Sequence, residues 1–160
     1  MDYKINFDEP IHQMIERLKQ EHIDFESTLK IISEYIDENK IKEALVTLHN
    51  MSELIIKHAV EEEARLMRVI MQKAKEESSD SIKIMQEHNW VVDFLKHKLQ
   101  NTDNDIHQQY PQQQQQQQLQ EKVKKEINEF IANLRNHFSE EEQIVFPLAL
   151  KADSSYLNYK

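Results

Sequence analysis

Glycine and cysteine are both absent from this chain of 160 residues. Average usage of glycine, near 7%, would supply about 11 residues at this length. Phosphate-binding loops and the nucleophile elbow of hydrolases need glycine, so both are excluded. The lack of cysteine excludes disulfides, thiolate zinc sites, iron–sulfur clusters and cysteine nucleophiles. Any bound metal must therefore be held by nitrogen and oxygen atoms.

Positive charge and long apolar runs are also scarce. The chain has 20 Lys+Arg against 29 Asp+Glu, a formal net charge of −9. A surface of this sign repels phosphate backbones and anionic lipids, so we expect neither nucleic acid nor a membrane as a partner. Residues 1–10 contain no apolar signal region, and no stretch reaches about 18 consecutive apolar residues. A cytoplasmic location is the expectation.

The residues that are present favour helix almost throughout, because Glu, Lys, Leu, Ile and Gln lose little side-chain freedom in a helix. The pattern predicts four helices, at about 10–38, 41–75, 81–100 and 119–150. Short turns between them predict a single all-α domain over 1–160, an up-down-up-down four-helix bundle with its core at about 10–150. The glutamine-rich segment 101–118 is predicted to be a solvated loop with no function of its own.

Each predicted helix carries an apolar stripe, and on each stripe one histidine replaces an apolar residue. In the second and fourth helices a glutamate follows on the stripe one turn later, and the stripes continue to Val69 and to Ile144 and Leu148. The six polar residues on the stripes are His22, His58, Glu62, His88, His137 and Glu141. His12, His49 and His97 fall off the stripes, and His107 lies in the predicted loop.

Two glutamates on apolar stripes need a partner, because an unpaired buried carboxylate loses several kcal/mol of hydration. One alternative is a set of satisfied core histidines with His–Glu hydrogen bonds. Neutral imidazoles bring no positive charge, however, whereas one or two divalent cations would balance both carboxylates. A donor set of imidazole and carboxylate suits iron, manganese or zinc. Two carboxylates from facing helices can each bridge two ions and leave two histidines per ion, which predicts a dinuclear site.

Four segments carry a resemblance to a known family: residues 19–22, 58–63, 86–88 and 137–147. Together they resemble the hemerythrin-like HHE cation-binding domain. The resemblance implies a four-helix bundle around a non-haem centre of two iron ions. It implies the six stripe residues as ligands, with Glu62 and Glu141 bridging. Glu63 and Glu142 also match the motif but lie off the stripe, and we assign them no ligation.

The chain departs from the oxygen-carrying hemerythrins at one position. Those proteins add a second histidine one turn after the first on the third helix, where this chain has Val92. Fewer ligands would leave room for dioxygen, nitric oxide or peroxide, so we expect a protein that binds or senses iron or these molecules without fast turnover. One alternative is a redox enzyme for peroxide or nitric oxide reduction, or for iron-centre repair. Another is a metal-free helical interaction module with Trp90 as a contact residue.

Overall fold

A computed structural model describes residues 3–73, 78–99 and 113–157 as a bundle of four helices. The first bundle helix is α1 (Ile11–Asp37). The second runs through α2 (Ile41–Glu61), a π-helical turn (Glu62–Met67) and α3 (Arg68–Lys73). The third comprises α4 (Ser78–Asp93) and a π-helical turn (Phe94–Lys98). The fourth comprises α5 (Gln113–Glu140), a π-helical turn (Glu141–Val145) and α6 (Phe146–Leu157). The predicted all-α four-helix bundle is confirmed.

The predicted loop over 101–118 is wrong at its C-terminal end. The fourth bundle helix begins at Gln113 and not at Leu119, so the residues Gln113–Gln118 are helical. Glutamine is a good helix former, and the run joins directly onto the amphipathic part of the helix. The same helix ends at Leu157 and not at Leu150, and the third begins at Ser78 and not at Ser81. Residues 74–77 and 100–112 lie outside the described residues.

The turn between the first two helices shows how the chain ends a helix without glycine. Asn39 takes the left-handed conformation, with φ 61°. Asparagine tolerates this region better than other residues that carry a Cβ. The Asn39 N–H donates to the Ile36 carbonyl at 3.1 Å, and the Lys40 N–H donates to the Tyr35 carbonyl at 2.7 Å. These paired bonds form a Schellman motif, which satisfies the last carbonyls of α1 and reverses the chain within a few residues.

The core is divided into two apolar clusters with a polar layer between them. One cluster includes Phe25, Ile55, Val91 and Leu134, and the other includes Leu18, Leu66, Ile84 and Val145. On every bundle helix the stripe histidine lies in sequence between a residue of one cluster and a residue of the other. The polar side chains therefore meet at one level of the bundle. None of the described helices is both long and apolar enough to cross a membrane.

Two π-helical turns shift the apolar stripes away from their predicted positions. One begins at Glu62 and the other at Glu141. A π-helical turn inserts one extra residue, so every later side chain moves to a new face of the helix. Ile144 is accordingly 45% exposed, and Val145 takes its place in the core at 1%. In the same way Val69 is only half-buried while Ile70 is fully buried. The predicted stripe positions Val69 and Ile144 are therefore wrong by one residue, and Leu148 is half-buried beside the buried Ala149.

Candidate metal centre

The six stripe residues predicted as ligands meet in the polar layer of the bundle. All six are buried, and Glu62 and Glu141 have no exposed surface. Each bundle helix contributes one histidine, and the second and fourth also contribute a glutamate. Among the other histidines, His12, His49 and His97 are exposed, and His107 lies outside the described residues. Position on the apolar stripe thus distinguishes the clustered histidines from the others. The His-x-x-x-Glu spacing does not distinguish them, because it is frequent in this chain.

The donor atoms converge at distances that suit a shared ion. His22 Nε2 lies 3.0 Å from His58 Nε2, and His137 Nε2 lies 3.0 Å from Glu141 Oε1. His58 Nε2 also contacts Glu62 Oε1. Two donors about 2.1 Å from one metal ion and at right angles to each other are about 3.0 Å apart. The spacing of these atoms therefore fits neighbouring positions of a coordination sphere.

The donors form two groups, in each of which the ligand atoms lie within 4.8 Å of one another. The first group consists of His22, His58, Glu62 and Glu141, and the second of His88, His137 and Glu141. Glu141 belongs to both groups. Glu62 also faces both, because its Oε2 lies 3.7 Å from His88 Nε2. The two carboxylates are thus placed between the histidine pairs, as bridging ligands would be.

A cation fits this site better than the alternative of a self-satisfied polar core. Within the described residues, His58 and His137 contact the carboxylates of Glu62 and Glu141, but the geometry is not that of a hydrogen bond at any of the four carboxylate oxygens or at Nε2 of His88 or His137. Leaving several buried polar atoms without hydrogen bonds is costly. Metal ions in the two donor groups would accept lone pairs from these atoms, so the arrangement fits bound cations.

In the metal-free site, the surrounding charges favour the protonated form of His58. Burial opposes a charged His58, but Glu62 and Glu21 outweigh that effect and raise its pKa to about 9. Burial likewise opposes ionisation of Glu62, yet the imidazoles around it, His58 foremost, hold its pKa below the ordinary value. Burial and the charge of His58 lower the pKa of His22 to about 4. Burial and the neighbouring His88 lower the pKa of His137 to about 3. Both of these histidines are therefore neutral at pH 7, as metal ligands must be.

A second set of glutamates, which sequence reasoning did not assign, lies just outside the donor atoms. His58 Nδ1 is 2.9 Å from Glu21, His88 Nδ1 is 3.2 Å from Glu63, and His137 Nδ1 is 2.6 Å from Glu87. His22 Nδ1 lies farther, 3.6 Å, from Glu142. A signal for them exists in the sequence, because each of the four glutamates is adjacent to a stripe residue of its own helix.

Arg17 holds one of these outer glutamates in place. Its guanidinium donates to Glu21 at 2.6 Å and to Glu9 at 2.9 and 3.1 Å, and it also pairs with the buried Glu61. These carboxylates raise the pKa of Arg17 further above its ordinary value, and the hydrogen bonds from Arg17 lower the pKa of Glu9. Burial opposes ionisation of Glu21, but His58 and Arg17 outweigh it and lower its pKa. Glu21 is therefore a fixed anion beside His58.

Aromatic side chains enclose one side of the centre. The Phe138 ring stacks on His22 at a centroid distance of 4.2 Å, and Phe146 lies 5.6 Å away on a nearly parallel plane. Phe25 meets His58 edge-on at 5.4 Å. These rings pack against His22 and His58, and a surface groove lined by His22, Phe138 and Glu142 also reaches this ligand group.

A second surface groove reaches the other ligand group. Val92, at the position of the missing fifth histidine, is only half-buried. It lines a surface groove with His88, Glu63 and Tyr3. Trp90 is 44% exposed and stacks on Phe130, with a centroid distance of 5.8 Å. The groove brings solvent close to His88 of the second ligand group.

Comparisons with known proteins identify the family. No curated protein and no solved structure gives a significant match to this chain. The family described as the Hemerythrin HHE cation binding domain matches residues 13–149, which include most of each bundle helix and all six clustered residues. This match, together with the four-helix bundle and the buried His/Glu cluster, establishes that the chain belongs to the hemerythrin HHE cation-binding domain family.

Proposed function

We propose that the protein binds two iron ions through His22, His58, Glu62, His88, His137 and Glu141, and that it binds or senses dioxygen or nitric oxide without fast turnover. The observation that carries the proposal is the pair of fully buried carboxylates among four histidines, with no hydrogen bond of acceptable geometry to either carboxylate within the described residues. A protonated His58 neutralises at most one of them, whereas bound cations would neutralise both.

The choice of iron rests on the donor set. Imidazole and carboxylate donors without thiolates suit iron, and also manganese or zinc, which remain possible occupants. Two ions are favoured over one because the donors form two groups that share Glu141. Bound iron would supply a change of oxidation state and an affinity for small diatomic ligands.

The role in ligand binding follows from the small number of protein ligands. With Glu62 and Glu141 shared, each ion would have two histidines and two carboxylates as protein donors, and Val92 provides no further donor beside His88. An ion held by the second group would keep a coordination position for a small molecule. The groove at Val92 and His88 provides a path toward it from solvent.

A redox enzyme is the second candidate, because an open position also permits turnover of peroxide or nitric oxide. The same feature supports both functions, so kinetics must distinguish them. Steady-state consumption of peroxide or nitric oxide by the iron-loaded protein would favour the enzyme. Binding that saturates at one equivalent per centre would favour the sensor.

The decisive experiment is metal analysis of protein expressed in iron-supplemented medium, with an optical spectrum recorded before and after addition of nitric oxide. We expect two iron ions per chain and a spectrum that changes at one equivalent of nitric oxide per centre. The matched control is the double variant His49→Ala/His97→Ala, which removes two exposed histidines and should keep both ions. Absence of bound metal in the wild type would contradict the proposal and leave the metal-free interaction module.

A further inference from the structure

The outer glutamates follow one order around the bundle. Each reaches the histidine of the next bundle helix: Glu21 to His58, Glu63 to His88, Glu87 to His137, and Glu142 of the fourth helix back to His22 of the first. The four contacts thus close a cycle that links every bundle helix to its neighbour. We call these four residues the outer carboxylate ring.

The sequence produces this cycle through a simple geometric rule. Adjacent residues on a helix are about 100° apart, so the neighbour of an inward-facing residue points sideways toward an adjacent helix. On the first and third helices the ring glutamate precedes the histidine, as in Glu21-His22 and Glu87-His88. On the second and fourth it follows the inward glutamate, as in Glu62-Glu63 and Glu141-Glu142. Successive helices run in opposite directions. Viewed from one end of the bundle, a step toward the N-terminus on one helix and a step toward the C-terminus on the next therefore rotate in the same sense.

We propose that the outer carboxylate ring is a set of positioning residues, of which Glu21, Glu63 and Glu87 accept the Nδ1 protons of His58, His88 and His137 and thereby direct each Nε2 toward the metal. The inference rests on the proposed metal-binding function. A proton held on Nδ1 leaves the Nε2 lone pair free for a metal ion, and a carboxylate acceptor fixes both the tautomer and the orientation of the ring.

The four links of the ring are unequal. Glu21 is held by Arg17, and Glu87 lies 3.8 Å from Lys83. Glu142 is 43% exposed, and its 3.6 Å separation from His22 is too long for a hydrogen bond. Within the described residues, Nδ1 of His22 accordingly has no hydrogen-bond partner. The ring therefore positions three histidines firmly and leaves His22 the least constrained of the four.

The first test measures the affinity for Co²⁺, whose visible spectrum also reports coordination. Loss of an outer acceptor commonly weakens metal binding by about 10–100-fold. We expect losses in this range for Glu63→Ala and Glu87→Ala, and recovery of most of the affinity in Glu63→Gln and Glu87→Gln, because a glutamine carbonyl still accepts the Nδ1 proton. Glu142→Ala should change the affinity less than threefold. The matched control is Glu26→Ala, since Glu26 bonds Arg135 and lies one turn from His22.

The second test needs no metal. In metal-free protein, long-range ¹H–¹⁵N NMR should place the proton of neutral His137 on Nδ1, and Glu87→Ala should remove that preference while the helical circular dichroism stays unchanged. Ring variants that bind Co²⁺ as tightly as wild type, or a His137 proton on Nε2, would overturn the inference. A wild type that binds neither iron nor Co²⁺ would overturn the proposed function, whereas ring variants with unchanged affinity in a metal-binding wild type would overturn the positioning role alone.

Discussion

The two ligand groups of the centre differ in the side chains that surround them. The first group has four converging donor atoms, a cover of three phenylalanine rings, a neighbouring glutamate held by Arg17 and a surface groove lined by His22 and Phe138. The second has three converging donor atoms and a groove lined by His88 and Val92. Under the proposed function, the added donor and the aromatic cover would help the first group to retain its ion, and the second group would present its ion to a ligand.

Metal removal should produce the largest effect, because both groups lose their neutralising charge together. A cation present at 100 times its Kd stabilises the folded state by about 2.7 kcal/mol, which corresponds to roughly 5–10 °C in Tm for a domain of this size. We therefore expect a strong chelator to lower the Tm by at least that amount in thermal melting followed by circular dichroism. Equal melting temperatures after verified metal removal would contradict a structural role for the ions.

Substitution of the shared carboxylate should distinguish it from every other ligand. Glu141 belongs to both groups, whereas His88 belongs to one. Glu141→Ala removes a donor from each ion and one of the charges between them, so we expect well under half of the wild-type metal content. Glu62→Ala should lose nearly as much, and His22→Ala or His88→Ala should retain about one ion per chain. Metal-to-protein ratios measure this, with His49→Ala and His97→Ala as controls that keep both ions. Glutamate variants that retain two ions would refute the bridging assignment.

The pH dependence of the metal-free protein should reveal the proton held in the first group. His22 and His137 have lowered pKa values of about 4 and about 3, so stability falls as the pH drops below their ordinary value near 6.5. His58 has a raised pKa of about 9, so stability also falls as the pH rises from 6.5 toward 9. Each group contributes up to about 1.4 kcal/mol per pH unit.

Chemical denaturation of the chelated protein should therefore give a maximum of the unfolding free energy near pH 6.5. His58→Gln should remove the alkaline decline and leave the acidic one. A flat profile between pH 5 and 9 would show that these histidines do not carry the predicted charges.

The smallest expected effect comes from supplying the donor that the second group lacks. Val92→His places an imidazole one turn after His88, beside the same groove. We expect azide to bind the iron-loaded variant about tenfold more weakly, a difference of about 1.4 kcal/mol, because an added ligand competes for the open position. Val92→Leu fills a similar volume without a donor atom, and it should leave the azide affinity within about threefold in an optical titration. Equal affinities in wild type and Val92→His would contradict an open position on this side.

Sequence reasoning identified the bundle and the buried residues of the centre but missed two features of the helices, each for a physical reason. The apolar stripes predicted the buried positions correctly as far as Glu62 and Glu141. Beyond these residues the predicted positions are wrong, because a π-helical turn begins at each glutamate. The runs Val69-Ile70-Met71 and Ile144-Val145-Phe146 offer an apolar side chain for more than one face, so composition could not reveal the shift. The helical Gln113–Gln118 was mistaken for loop because a polar run has no periodicity to follow.

What the sequence determined by itself is the helical class and the inward position of His22, His58, Glu62, His88, His137 and Glu141. Helix propensity and periodicity are local properties, and a histidine or glutamate on an apolar stripe can only be buried once the helix packs. Only the tertiary structure decided which donors form a group, that Glu141 belongs to both, and that the outer glutamates reach the neighbouring helices. Those relations depend on distances between helices and on the register shift at the π-helical turns. Both arise from packing between segments far apart in the chain, and the position of each outer glutamate beside a stripe residue does not by itself give those distances.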